Sequence, residues 1–212
     1  MIILIIINAK SEGKWVSLMK KIPKWIHKNS QMIQRNLLFT MSIFVAIPSY
    51  AEDRSLATVP RVELDKYLGL WYEVARKPMY FQRECAKDVT ARYTINEYGN
   101  VEVDNRCIDQ QGNQLRSIGE GFVMNDPYNS KIKVSFLPEA VRWMPFGRGD
   151  YWILKIDPHY QMALVGEPKR KYLWILSRNP HPDENKVIEY LRYAQTLGFS
   201  VKDLIRSEQT EP

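Results

Sequence analysis

The sequence predicts an all-β domain of eight short antiparallel strands with one helix laid against the outside of the sheet. Three observations carry this. From Trp71 onward apolar residues recur with a period of two, turn signals built from Gly, Pro, Asn and Asp interrupt nearly every run, and only one later stretch keeps helical spacing at full length. Strands joined as consecutive hairpins form a meander, which closes either as a two-sheet sandwich or as a barrel.

The chain of 212 residues begins with a segment of different character. Residues 1–51 hold seven Lys or Arg against the single acid Glu12, while the remainder holds 23 basic and 23 acidic residues. The formal charge of +6 therefore belongs to the leader, and the balanced remainder lacks the excess that a nucleic-acid-binding domain needs. Within the leader, the uncharged run 37–47 follows basic residues and precedes Ser49 and Ala51, the layout of a secretory signal with a small-residue cleavage site. The run is short for a membrane span of about 20 residues, so an uncleaved anchor is the weaker alternative. The expectation is a mature domain over 52–212, with a true start at Met19 or Met32, exported to the periplasm or cell envelope. No cysteine near the cleavage point offers a lipid attachment site, so the mature product is expected to be soluble.

Past the leader, residues 59–68 suit one or two helical turns with Leu64, Tyr67 and Leu68 on one edge. Gly69 and Trp71 then open the first strand, a glycine for close approach or a tight bend and a tryptophan whose area asks for burial. Val89, Ala91, Tyr93 and Ile95 alternate with polar residues, 97–100 turns the chain, and Val101 and Val103 continue the same face. Runs at 114–124 and 131–137 flank the turn 125–129, runs at 151–156 and 161–165 flank Asp157-Pro158-His159, and 172–177 follows 166–169. Parity in 114–124 is ambiguous, because Gly119 and Gly121 share one side and Glu120 takes the other. The helix follows Pro182-Asp183, carries Val187, Ile188, Leu191, Ala194 and Leu197 as its stripe, and stops at Gly198. An extended piece, 199–205, is expected to pair with an edge strand.

Cys85 and Cys107 are an even pair in an exported domain, which favours a disulfide over two reduced thiols. Enzymatic readings find little support. The exported part holds only His159 and His181, with no His-Glu-x-x-His, no Gly-x-Ser-x-Gly and no phosphate-cradling glycine loop, and the cysteines form no metal-ligand cluster. No catalytic residue, metal or cofactor is expected.

The residues Tyr67-Leu68-Gly69-Leu70-Trp71-Tyr72-Glu73-Val74-Ala75-Arg76 and Tyr172-Leu173-Trp174-Ile175-Leu176-Ser177-Arg178-Asn179-Pro180, with Asp157 and Tyr160 leading into Ala163-Leu164-Val165 between them, carry a resemblance. The sequence resembles the lipocalins, in particular the bacterial branch related to apolipoprotein D, over 59–205. Ile156 departs from the threonine common before the acid of the middle motif. The resemblance implies an eight-stranded up-and-down barrel in which Trp71 closes the bottom, Gly69 lets the preceding turn fold beneath it, and Arg178 lies against the indole from outside.

Counting strands upward from Trp71 then puts the turns 97–100, 125–129 and 157–159 at the bottom and the connections 77–87, 107–113, 137–150 and 166–171 at the top. Cys85 and Cys107 share that upper end. Met79, Tyr80, Phe81, Trp143, Met144 and Phe146 are expected at the rim beside Arg76, Lys77, Arg83, Arg142, Arg148 and the run Lys169-Arg170-Lys171. A greasy well under a basic collar suits a fatty acid or lysophospholipid. Interior candidates are Val89, Ala91, Tyr93, Ile95, Val101, Val103, Ile132, Val134, Phe136, Tyr151 and Trp174, and ligand contact is expected from Tyr93, Phe136, Trp143, Tyr151 and Trp174. The alternatives are peripheral docking of the rim to a membrane or partner, and a barrel enzyme acting on a lipidic substrate.

Overall fold

The computed structural model describes residues 55–210. The leader, its cleavage point and the alternative starts lie outside the described residues. A short helix α1 (Leu64–Tyr67) leads into β1 (Gly69–Arg76), followed by β2 (Lys87–Ile95), β3 (Val101–Ile108), β4 (Gln114–Val123), β5 (Lys131–Ser135), β6 (Arg148–Ile156), β7 (Met162–Gly166) and β8 (Leu173–Ser177). Helix α2 (Glu184–Thr196) and a two-residue strand β9 (Ile205–Arg206) complete the order. Each strand from β2 to β8 pairs antiparallel with the next, β8 pairs with β1, and β1 returns to β2. The sheet is thus a closed barrel and not a sandwich.

Closure is divided along β1. Its first half pairs with β2 (Gly69↔Tyr93 through Tyr72↔Thr90), and its second half pairs with β8 (Tyr72↔Ser177 through Arg76↔Trp174, across a bulge between Glu73 and Ala75). Where β1 leaves β2, the C-terminal segment fills the seam. Arg206 and Ile205 face Ala75 and Arg76, the Ser207 amide donates to the Val74 carbonyl at 3.0 Å, and the Asp88 amide donates to the Glu208 carbonyl at 2.8 Å. Gln209 is buried there, its Nε2 donating to the carbonyls of Glu73 and Val89. The expected edge pairing of 199–205 is corrected accordingly: a closed barrel offers no outer edge, and pairing begins only at Ile205, inside the wall.

Two cores result. Outside the barrel, Val187, Tyr190 and Ala194 of α2 pack with Leu154, Met162, Leu164, Leu173, Ile175 and Phe199, each large apolar side chain contributing about 1.5 to 3 kcal/mol on burial. Asp183 caps the helix by accepting from the Asn185 amide at 2.9 Å, and Gly198 ends it at φ +86°. Ile188 sits off this stripe, at its exposed margin. Inside the lower barrel, Val62, Tyr67, Trp71, Tyr93, Val101, Val103, Ile153, Tyr160, Ala163, Val165 and Leu176 form the second core.

Candidate ligand-binding site

The floor is assembled from both ends of the domain. Trp71 is fully buried and donates its indole N–H to the Tyr67 carbonyl at 2.8 Å. The Arg178 guanidinium lies 3.9 Å from the centre of the Trp71 ring. It also donates to the carbonyls of Leu68 (2.6 Å), Lys66 (2.9 Å), Tyr67 (3.1 Å) and Leu70. These carbonyls belong to the end of α1 and the turn into β1, where a helix leaves acceptors unpaired. Gly69 has φ +95°, and a Cβ there would stand 3.3 Å from Arg178 Nη1, so both backbone and space call for glycine.

Above the floor lies a cavity of about 1010 Å³, just above the range of about 300–1,000 Å³ for small-molecule sites. Every interior candidate except Ile95 lines it, and Ile95 is 46% exposed at the lower end of β2. The ambiguity in β4 resolves as a glycine-lined inner face. Gly119 pairs with Val103 and Gly121 with Val101, while Glu120 turns outward to accept from the side chains of Asn96 and Asn100. A Cβ on Gly119 would meet the Phe136 ring at 2.7 Å, so the missing side chain makes room for that ring.

Of the five residues expected to touch ligand, Tyr93, Phe136, Tyr151 and Trp174 line the cavity. Trp143 does not. It is 69% exposed in the loop between β5 and β6, and its indole N–H caps the Ala140 carbonyl at 3.0 Å. It follows the short turn Glu139–Val141, a loop position whose direction alternation does not encode. Met79 is likewise buried instead of exposed at the rim. Cys85 and Cys107 form a disulfide with Cα atoms 5.5 Å apart, and both line the upper cavity.

The basic collar is largely committed elsewhere. Arg76 is buried in an ion pair with Glu73 at 2.7 Å, and Lys77 reaches Asp203 at 2.9 Å and the Ser200 carbonyl. Arg142 donates to the carbonyls of Leu137 and Ile118, Arg148 to those of Arg142 and Trp143, and Arg170 to that of Leu197. Arg83 stacks over Tyr80 at 4.3 Å. Lys169 and Lys171 remain as ammonium groups on the mouth itself.

Several polar groups also line the cavity or stand beside it, and of the carboxylates and amides among them the sequence pointed only to Glu73, as a buried, hydrogen-bonded carboxylate. Glu73, buried below the mouth, accepts from Gln82 at 2.6 Å and from Ser207 as well as from Arg76. Gln82 in turn accepts from the Trp174 indole at 3.4 Å. Asn105 faces inward with its carbonyl oxygen buried and unpartnered; the parity that placed Val101 and Val103 inside extends to Asn105 and Cys107. Tyr67 reaches up from α1 so that its hydroxyl meets that of Tyr151 at 2.7 Å, and Tyr151 meets Tyr93 at 2.9 Å. Burial pushes the Tyr93 phenol up to about 12 and those of Tyr67 and Tyr151 well above the usual tyrosine range. Among the described residues no three His, Cys, Asp or Glu side chains gather in a way that could hold a metal ion.

Residues 62–209 match the family model described as a lipocalin-like domain. The chain belongs to the lipocalin family. It is 35% identical over 164 residues to temperature-induced lipocalin-1 of Arabidopsis thaliana, covering 76% of this chain and 86% of that protein. It is 34% identical over 168 residues to the outer membrane lipoprotein Blc of Escherichia coli K12, covering 79% and 90%. Apolipoprotein D of Mus musculus is 32% identical over 157 residues, covering 69% and 77%. Among solved structures, insecticyanin from the tobacco hornworm Manduca sexta superposes with a TM-score of 0.58 at 19% identity, over 74% of this lipocalin and 85% of that chain, a likeness of fold.

Proposed function

We propose that this lipocalin is a binding protein, not an enzyme, and that it encloses a lipidic amphiphile, a fatty acid or lysophospholipid, for storage or transport in the cell envelope. The observation that carries the reading is the cavity of about 1010 Å³, shut below by Trp71 and Arg178 and opening at a mouth edged by Lys169 and Lys171. Apolar and aromatic walls hold a hydrocarbon body, and the two ammonium groups favour an anionic head at the opening. Among the described residues no histidine lines the cavity, so its carboxylates lack the usual partner for acid–base or nucleophilic work. An envelope location draws support from the apolar run 37–47 and from the Blc relatives, which are outer membrane lipoproteins by name.

The full chain, purified from cells under non-denaturing conditions and weighed by native mass spectrometry, is expected to carry one lipid per chain. Uniformly empty protein that also fails to take up added fatty acid overturns the reading. A second reading rests on Tyr80, Phe81, Trp143 and Phe146, all exposed on the two loops that flank the mouth. Exposed aromatics beside Arg83 suit peripheral contact with a membrane surface. Saturable vesicle binding by protein that never holds cargo would favour it over the carrier.

A further inference from the structure

The apolar well does not end in an apolar floor. Three phenols from three separate elements converge there: Tyr67 from α1, Tyr93 from β2 and Tyr151 from β6, and all three line the cavity. Their rings are held in place by one another and by the indoles. Tyr67 lies 5.1 Å from Trp71 and stacks on Tyr93 at 5.7 Å, Tyr93 meets Tyr151 edge-on at 6.1 Å, and Tyr151 tilts on Trp174 at 6.4 Å. The hydroxyls are therefore fixed in position by packing, with Tyr151 in the middle of the chain.

A proton count shows what this chain lacks. Each phenol carries one O–H, so three protons serve two hydrogen bonds, and among the described residues no other acceptor engages them. One donor is left over whichever way the hydroxyls turn, and each oxygen has lone-pair capacity besides. Burial keeps all three neutral, so the spare proton is not lost to ionisation. A buried donor without an acceptor is costly, and it faces the space where cargo ends.

We propose that the Tyr67–Tyr151–Tyr93 hydroxyl chain is a polar subsite that takes an oxygen-bearing group, a hydroxyl or carbonyl, on the leading end of the ligand. The inference rests on the carrier reading and narrows it: the preferred cargo is an apolar body with oxygen at both ends, such as an ω-oxygenated acyl chain. An ionised carboxylate does not suit the floor, because the Arg178 guanidinium behind Trp71 is already committed to backbone carbonyls and a single spare donor leaves the charge largely unsolvated. The charged end belongs at Lys169 and Lys171, and the neutral oxygen goes in first.

The test compares ω-hydroxy fatty acids of graded chain length with their parent acids, by calorimetric titration of the full chain, of the double variant Tyr93→Phe/Tyr151→Phe and of the triple variant Tyr67→Phe/Tyr93→Phe/Tyr151→Phe. In the wild-type protein, at the chain length that reaches the floor, the hydroxy acid binds as tightly as its parent or more tightly. In the triple variant, where no phenol is left to receive it, it falls behind the parent by about ten- to a hundred-fold, the penalty for burying an unpaired hydroxyl. The double variant keeps one phenol donor at Tyr67 and gives a smaller loss, and it keeps the test open should the triple variant not fold. A hydroxy acid that is weaker than its parent by the same factor in all three proteins overturns the subsite and leaves the carrier intact, the spare donor then being met by water alone. Absence of saturable binding by either series removes the carrier reading and this inference with it.

Discussion

Replacing Arg178 with alanine removes the one side chain that ties α1, the turn at Gly69 and the Trp71 ring together, and the structure sets the size of the loss. Five carbonyls accept from the guanidinium, those of Lys66, Tyr67, Leu68 and Leu70 and, at 3.4 Å, that of Tyr160, and the ring lies 3.9 Å away. A hydrogen bond to a charged group contributes about 1.5 to 3 kcal/mol net, but the half-exposed site lets water replace part of the set. Two unreplaced bonds and a stack of about 0.5 to 2 kcal/mol sum to about 3.5 to 8 kcal/mol, and water at the half-exposed site puts the expected loss at the low end, about 4 kcal/mol. With a urea m-value of about 2 kcal/mol/M, the unfolding midpoint falls by ~2 M. Arg178→Lys keeps the charge without the planar fork, so it recovers less than half of the loss. Combining each with Trp71→Phe in a double-mutant cycle separates the stack from the carbonyl bonds. A midpoint shift under about 0.5 M for Arg178→Ala would show that the floor is held by apolar packing alone, and the account of this residue would be wrong.

Removing the disulfide with the double substitution Cys85→Ala and Cys107→Ala should lower stability by about 3 kcal/mol, the chain-entropy value for a loop of this length, read from denaturant curves with and without reductant. Trp143→Ala, at an exposed position off the cavity, should change neither fatty-acid affinity nor thermal midpoint, and a tenfold loss of affinity would return it to the site. Filling the inner face of β4 with Gly121→Leu should abolish uptake of long chains before it unfolds the barrel, because Ile132 and Val101 already stand 3.1 and 3.4 Å from the added Cβ; unaltered uptake would place the ligand elsewhere. At alkaline pH the buried phenols hold their protons after those of the unfolded chain, with an ordinary value of 10.0, have let go. The folded state then binds more protons, so stability falls above pH 10 by about 1.4 kcal/mol per pH unit for each phenol, about 4 for the three. Tyrosinate absorbance that rose smoothly before any loss of structure would contradict their burial.

Alternation and turn chemistry made the eight strands legible, because a wall with one apolar face writes its register into every second residue. The same rule located Tyr93, Ile132, Phe136, Tyr151 and Trp174, and it would have reached Asn105 had the parity been followed past Val103. It failed where position depends on something other than strand period. Trp143 and Met79 sit in loops whose short turns set side-chain direction, and Arg76 and Lys77 took partners, Glu73 and Asp203, from elsewhere in the fold. The C-terminal segment could not be placed without knowing that β1 parts from β2 after Tyr72 and leaves backbone groups of Val74 and Asp88 to be met.

The hydroxyl chain is the sharper case, since Tyr67 lies on a four-residue helix that reads only as an apolar edge. Its oxygen becomes informative once closure brings it to Tyr151, 84 residues away. A tyrosine in a core is ordinarily a hydrophobic ring with one bond to satisfy. Three of them sharing two bonds leave one O–H that no arrangement of the three hydroxyls can satisfy, so its partner must be water or a bound molecule in the cavity.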